Sequence, residues 1–181
     1  MTTIVLTPHG HVEGINPPRF RGQYPLLLNE QGQQEAITTA ERIASDWRPA
    51  AMRTSPLERC VVTGTRIAEA CGLQSLSTQD LIDLHYGEWQ WKTYDEVNEH
   101  WPHLYALWRS APHLVRFPFG ESLQDIVLRS ADVFRSVIDG FPSDTVVLVG
   151  HDSVNRALLL QVLDQPLSAI GKSRRTHAAS T

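Results

Sequence analysis

Apolar positions along the chain come as short continuous runs alternating with spaced sets, and that alternation predicts strands followed by helices. Thr3 to Thr7 is a β-rich run and reads as the first strand. The stretch Pro8 to Leu28 is rich in Gly, Pro and Arg, and loops of this length in a compact domain are often functional. From Glu30 to Trp47, the residues Ala36, Ile37, Ala40, Ile43, Ala44 and Trp47 keep helical spacing, with Asn29 as N-cap. Ala50 to Thr54 reads as a second strand. Ser55-Pro56-Leu57-Glu58 then offers a capping serine, a proline suited to the first helical position and an acid that completes a capping box. The helix it opens runs to Cys71 and stops at Gly72. Ser75 to Thr78 is a candidate third strand. Thr93 to Glu96 is a second capping box, opening a helical stretch that Pro102 interrupts. Ser110 to Glu121 reads as loop, and Ser122 to Asp139 as a helix ended by Gly140. Thr145 to Val149 is the clearest strand, its unbroken apolar run fitting a strand buried on both faces. A last helix follows over Val154 to Leu163.

This order argues for an α/β domain with a mainly parallel sheet flanked by helices. The 181 residues suit one domain, read here as 1–170, with 171–181 as a polar, frayed tail. That length is short of the roughly 250 residues of a (β/α)₈ barrel. A formal net charge of −4 gives no basic field for nucleic acid. No apolar run approaches the roughly 18 residues of a membrane span, and no signal peptide is visible, so the expected location is cytoplasmic. Cys60 and Cys71 fall in one predicted helix, about 16 Å apart at 1.5 Å per residue, too far to pair. The bland reading of both is a reduced helical thiol.

Ligands of open α/β sheets bind beyond the carboxyl ends of the strands. The first strand ends at Thr7-Pro8-His9-Gly10-His11, the second at Ser55-Pro56 with Arg59 one turn into the helix, and the clearest at Gly150-His151-Asp152. Two histidines and an arginine therefore converge on one edge beside two helix N-termini, a cup suited to a phosphate group. Taken singly, a histidine after a strand is an ordinary loop residue and Arg59 a solvated helix arginine. The conjunction carries the reading.

These residues carry a resemblance. The segment Ile4 to Gly10 resembles the strand-Arg-His-Gly opening of the histidine phosphatase superfamily, the phosphoglycerate mutase-like fold. Arg19-Phe20-Arg21-Gly22, Leu28-Asn29-Glu30-Gln31-Gly32, Ser55-Pro56-Leu57-Glu58-Arg59, the acid segment Leu81 to Trp89, Gly120-Glu121-Ser122 and the late strand to His151 match further family blocks in order. The resemblance implies a three-layer α/β/α sandwich. It implies that His9 is a nucleophile forming a phosphohistidine, that Arg59 and His151 neutralise the phosphoryl oxygens, and that Asp83 is the acid, with Glu88 as alternative. Arg21, Gly10 and Gln23 join Arg59 as expected substrate-binding residues. No cofactor and no metal are expected. The expected partner is a phosphorylated small molecule, with a homodimer left open and neither nucleic acid nor membrane.

The chain departs from the family pattern in two places. The arginine before the nucleophile is Pro8, and losing its contact with the transferring phosphoryl costs about 2–4 kcal/mol, roughly 30- to 1,000-fold in rate, unless Arg19 or Arg21 compensates. Family members also continue with a strand after the last helix, so this fold is expected to lack a C-terminal edge strand. The leading expectation is a phosphomonoesterase for a small phosphorylated metabolite, weakened by Pro8. Three alternatives stand beside it: a catalytically impaired phosphate-binding protein, a mutase-type phosphotransferase, and a metal-dependent hydrolase using His9, His11, Asp83, His85, His151 and Asp152. The aromatics Trp89, Trp91, Trp101, Tyr105 and Trp108 are expected to form core or cap packing.

Overall fold

The computed structural model describes residues 1–170. Four strands, β1 (Thr3–Pro8), β2 (Pro49–Thr54), β3 (Ser75–Ser77) and β4 (Thr145–Gly150), form one parallel sheet in the order β1-β4-β2-β3. β4 is thus inserted between β1 and β2, which explains its unbroken apolar run. Its side chains alternate between two cores. Val146 and Leu148 face α5 (Leu123–Gly140) and α6 (Asp152–Val162), packing with Ile126, Val133, Val137, Ala157 and Leu158. Val147 and Val149 face α1 (Glu30–Asp46) and α2 (Glu58–Cys71), packing with Ala40, Ile43, Cys60 and Ile67. Each such fully buried side chain contributes about 1.5–3 kcal/mol. The result is the expected three-layer sandwich.

The helix starts separate what local sequence decides from what it does not. Asn29 accepts from the Gly32 N–H and caps α1, and Thr93 with Glu96 forms the expected capping box on α3 (Tyr94–His100). Pro102 ends that helix by opening α4 (Pro102–Ser110). Ser55 does not cap α2. That helix begins at Glu58 with Leu57 as N-cap and no side-chain cap, so Pro56 lies outside it and Arg59 is its second residue rather than one turn in. The reason is tertiary, because the Ser55 hydroxyl lies 2.8 Å from His151 Nε2. On α5 a capping box of Ser122 and Asp125 takes the place of the usual longer acid. The last helix starts two residues before the sequence expectation, directly after His151.

Trp89 is fully buried among Phe20, Phe117, Trp101 and Tyr105, and Trp108 packs on Tyr86 and Phe117. These rings are core. Trp91 is different, stacking on Tyr24 at 4.5 Å and carrying the Arg19 guanidinium 5.0 Å from its ring centroid. Among the described residues no strand follows α6, and β1 pairs with β4 alone. The expected frayed tail, residues 171–181, lies outside the described residues, and with it any edge strand there.

Candidate active site

Register brings the histidines together. Pro8 lies opposite Gly150, so His9 and His151 leave neighbouring strands side by side, their rings 5.2 Å apart. The His9 N–H donates to the Gly150 carbonyl and the Ser55 N–H to that of Val149, which seats three strand ends on one edge. Because the His9 N–H points at β4, the amide position of residue 8 points away from it. Proline there removes no ladder hydrogen bond. Gly10 fits closely after His9, since a Cβ on it would meet the Gly32 carbonyl oxygen at 2.2 Å. Its N–H donates to the buried Thr63 hydroxyl. Gly10, expected to bind substrate, is thus packed against α1 and hydrogen-bonded to α2.

His9 has a defined tautomer. Nδ1 lies 2.7 Å from the Gly10 carbonyl, which only accepts, and Arg59 Nε donates to Nε2 at 3.2 Å. The proton is on Nδ1 and the lone pair on Nε2. Burial, then the neighbouring His151, lowers the His9 pKa to about 3, so the ring is neutral. His151 is 1% exposed, and burial followed by the Arg59 charge holds its pKa well below the ordinary value. Its Nε2 faces Ser55, with the Cys60 sulfur at 3.5 Å, and its Nδ1 meets Arg59 Nη2 at 3.4 Å and Asp83 Oδ2 at 3.5 Å. Burial pushes the Cys60 thiol up to about 12, so it is no nucleophile.

Arg59 is the hub. Besides His9 it donates to the Tyr24 carbonyl at 3.0 Å, to the Gly22 carbonyl and to Asp83 Oδ2 at 3.3 Å. One buried guanidinium thus ties the long loop, the acid and both histidines. Its pKa is lowered, first by burial.

Asp83 is in the site. Its Oδ1 accepts from the Leu84 N–H at 2.8 Å and from the Ser153 hydroxyl at 2.6 Å, and Oδ2 faces Arg59 and His151. Glu88 is exposed, its N–H held by the Pro118 carbonyl, and no contact joins its side chain to the site among the described residues. Gln23 is half-buried, and its Nε2 donates to the Asp83 carbonyl at 2.8 Å. Arg19 donates to the Trp91 carbonyl at 2.6 Å and is committed there. Arg21 is half-buried and, among the described residues, forms no side-chain hydrogen bond or ion pair. Its charge still reaches Arg59 and His151, adding to the burial that lowers both.

Sequence reasoning missed three contributors. Ser153 reaches Asp83 from α6. Arg129 on α5 donates to the Asp80 and Asp83 carbonyls at 2.7 and 3.1 Å and to both oxygens of Glu121, which in turn accepts from the His85 N–H. Thr63 joins α2 to Gly10. None leaves a local signal, except that Glu121 and Arg129 lie two helical turns apart. The alternative ligand set is not assembled. His11 Nδ1 meets Asn29, His85 Nδ1 accepts from the Gly87 N–H, and among the described residues no three His, Cys, Asp or Glu side chains are placed to hold a metal ion.

A family profile described as histidine phosphatase superfamily (branch 1) matches residues 4–181. The chain is 31% identical over 164 residues to a metal-independent phosphoserine phosphatase of Arabidopsis thaliana, covering 90% of this chain and 69% of that protein. It is 29% identical over 168 residues to phosphoserine phosphatase 1 of Hydrogenobacter thermophilus, covering 93% and 79%. Among solved structures it superposes on Bacillus stearothermophilus YhfR with a TM-score of 0.87 at 28% identity, covering 94% of this chain and 84% of that one. For the native mycobacterial glucosyl-3-phosphoglycerate phosphatase the TM-score is 0.84 at 25% identity, covering 93% and 82%.

Proposed function

The chain belongs to the histidine phosphatase superfamily and is a phosphatase, and from that premise we propose that it hydrolyses small phosphomonoesters through a phosphoryl group carried on His9 Nε2. The observation that carries this is the tautomer of His9. Its Nδ1–H is held by the Gly10 carbonyl and its Nε2 lone pair is turned to the cationic hub. In the first step Nε2 bonds to phosphorus, the phosphorus–oxygen bond to the alcohol breaks, and Asp83 gives its proton to the departing oxygen. In the second step water attacks the phosphohistidine and Asp83 takes a proton from it. Phosphate leaves, and both His9 and the protonated acid are restored. Arg59, whose Nε–H moves from Nε2 to a phosphoryl oxygen, neutralises charge spreading over the equatorial oxygens, and the uncharged His151 donates a hydrogen bond to one of them.

Arg21 is the remaining cation for the substrate, and its uncommitted guanidinium supports that role over Arg19. The named relatives act on phosphoserine and on glucosyl-3-phosphoglycerate, both phosphomonoesters that also bear a carboxylate, and Arg21 suits such a second anion. A cytoplasmic location is part of the same proposal. Among the described residues no helix is long and apolar enough to cross a membrane.

Pro8 favours a second reading, in which the cup binds phosphate with little turnover. One experiment separates them: hydrolysis of p-nitrophenyl phosphate and O-phosphoserine with excess chelator by the parent chain, His9→Ala and Pro8→Arg. The first reading expects chelator-resistant turnover, its loss in His9→Ala, and a gain of roughly 30- to 1,000-fold in Pro8→Arg. Folded parent and Pro8→Arg chains that both bind phosphate without turnover would establish the second.

A further inference from the structure

The two oxygens of Asp83 are held unequally. Oδ1 accepts two short hydrogen bonds, from the Leu84 N–H at 2.8 Å and the Ser153 hydroxyl at 2.6 Å. Oδ2 has only longer contacts, 3.3 Å to Arg59 Nη2 and 3.5 Å to His151 Nδ1. An oxygen that already accepts two strong donors is a poor place for a proton, because the proton would compete with both. Oδ2 also lies toward the histidines, whereas Oδ1 is turned to the backbone and α6.

The Leu84 N–H adjoins Asp83 and comes with the local chain. Ser153 does not. It stands in the first turn of α6, 70 residues away in sequence, and crosses to the acid segment. It follows His151 by two positions, so the turn that places one phosphate-facing histidine also fixes the carboxyl group. Asp83 has one methylene fewer than the glutamate that the family motif has at this position. A shorter side chain has less reach and gains more from having its remaining torsion fixed.

We propose that Ser153 is a positioning residue: its hydroxyl holds Asp83 Oδ1 so that Oδ2 alone carries the proton delivered to the leaving oxygen. This rests on the reading of Asp83 as the acid given above. The proton moves from Oδ2 to the alcohol oxygen as the phosphorus–oxygen bond breaks, and returns to Oδ2 from the attacking water. Ser153 keeps its own proton throughout.

The test is the leaving group. An aryl phosphate with a good leaving group needs little protonation, and an alkyl phosphate needs it fully. The steady-state constants of Ser153→Ala, Ser153→Thr and Asp83→Asn would be compared with the parent on p-nitrophenyl phosphate and β-glycerophosphate, in the native chain and with Pro8→Arg added. Ser153→Ala is expected to lose roughly 10- to 30-fold in kcat on the alkyl phosphate, less than the roughly 10²-fold or more of full general acid catalysis. On the aryl phosphate its kcat should change less than about threefold, with KM unchanged on both and Ser153→Thr recovering most of the loss. Equal losses on the two substrates, a change confined to KM, or no recovery with threonine would overturn the proposal. Asp83→Asn reports on the underlying reading separately, because undiminished alkyl phosphate turnover in that variant would remove Asp83 as the acid whatever Ser153 does.

Discussion

The ends of β1 and β4 are neighbours in register and each delivers one histidine to the same edge, yet the two rings are held in different ways. His9 sits between a carbonyl that can only accept and an arginine N–H that can only donate, so its lone pair has one position. His151 Nε2 faces the Ser55 hydroxyl, which accepts from the Leu57 N–H and can still either donate or accept, and its Nδ1 stands between a donor, Arg59 Nη2 at 3.4 Å, and an acceptor, Asp83 Oδ2 at 3.5 Å. A locked tautomer suits a nucleophile, which must offer an electron pair in one direction. An exchangeable one suits a ring that must meet a phosphoryl oxygen as donor and adapt when the oxygen leaves. Position in the fold makes the two equivalent, and the partner of each ring nitrogen separates them.

Phosphoryl trapping would break the comparison most sharply. His9→Ala is expected to leave no acid-labile phosphoryl label on the chain and to lower turnover by roughly 10³-fold or more. His151→Gln should still take up label while turnover falls about 100-fold, the loss of one transition-state donor. Label in His9→Ala, or its absence in His151→Gln, would mean the roles are assigned the wrong way round. Ser55→Ala gives a smaller effect. Removing the exchangeable partner should cost about 1 kcal/mol in the catalytic barrier, roughly fivefold to tenfold in kcat, and leave KM unchanged. A fall of the same size in Thr63→Ala, whose hydroxyl serves the His9 side, would show that Ser55 has no special role.

The smallest effect concerns stability. Both rings are neutral when folded, His9 with a pKa of about 3 and His151 with one lowered well below its ordinary value, each chiefly through burial. A histidine with a depressed folded pKa binds fewer protons folded than unfolded. Its contribution is therefore complete above the unfolded value of about 6.5 and is lost as pH falls toward the folded value. The melting temperature should drop between about pH 7 and about pH 5, and His151→Gln should flatten that drop. A parent chain whose melting temperature holds steady over that interval would contradict the burial argument.

What was legible in the sequence follows the same division. His9, His151 and Arg59 could be placed because each stands just after a strand or at the start of a helix, and register does the rest. The family resemblance favours Asp83 by position and leaves Glu88 as the alternative, and only the fold shows Asp83 beside Arg59 and His151 while Glu88 is exposed. Ser55 was misread because a local capping pattern competes with a partner 96 residues away. Gln23, Arg129 and Ser153 hold the acid segment from three separate elements, and neither periodicity nor composition reports such crossings. The close approach of Gly10 to Gly32 is likewise a contact between distant segments that no local pattern reports.

The outward-pointing amide of residue 8 has a consequence for the history of this site. Arginine and proline codons can differ by a single base, and the exchange breaks no hydrogen bond between β1 and β4. One mutational step thus separates the two residues while the β1–β4 pairing stays intact. Substitution at this position therefore acts on the charge of the cup and leaves the ladder between β1 and β4 in place.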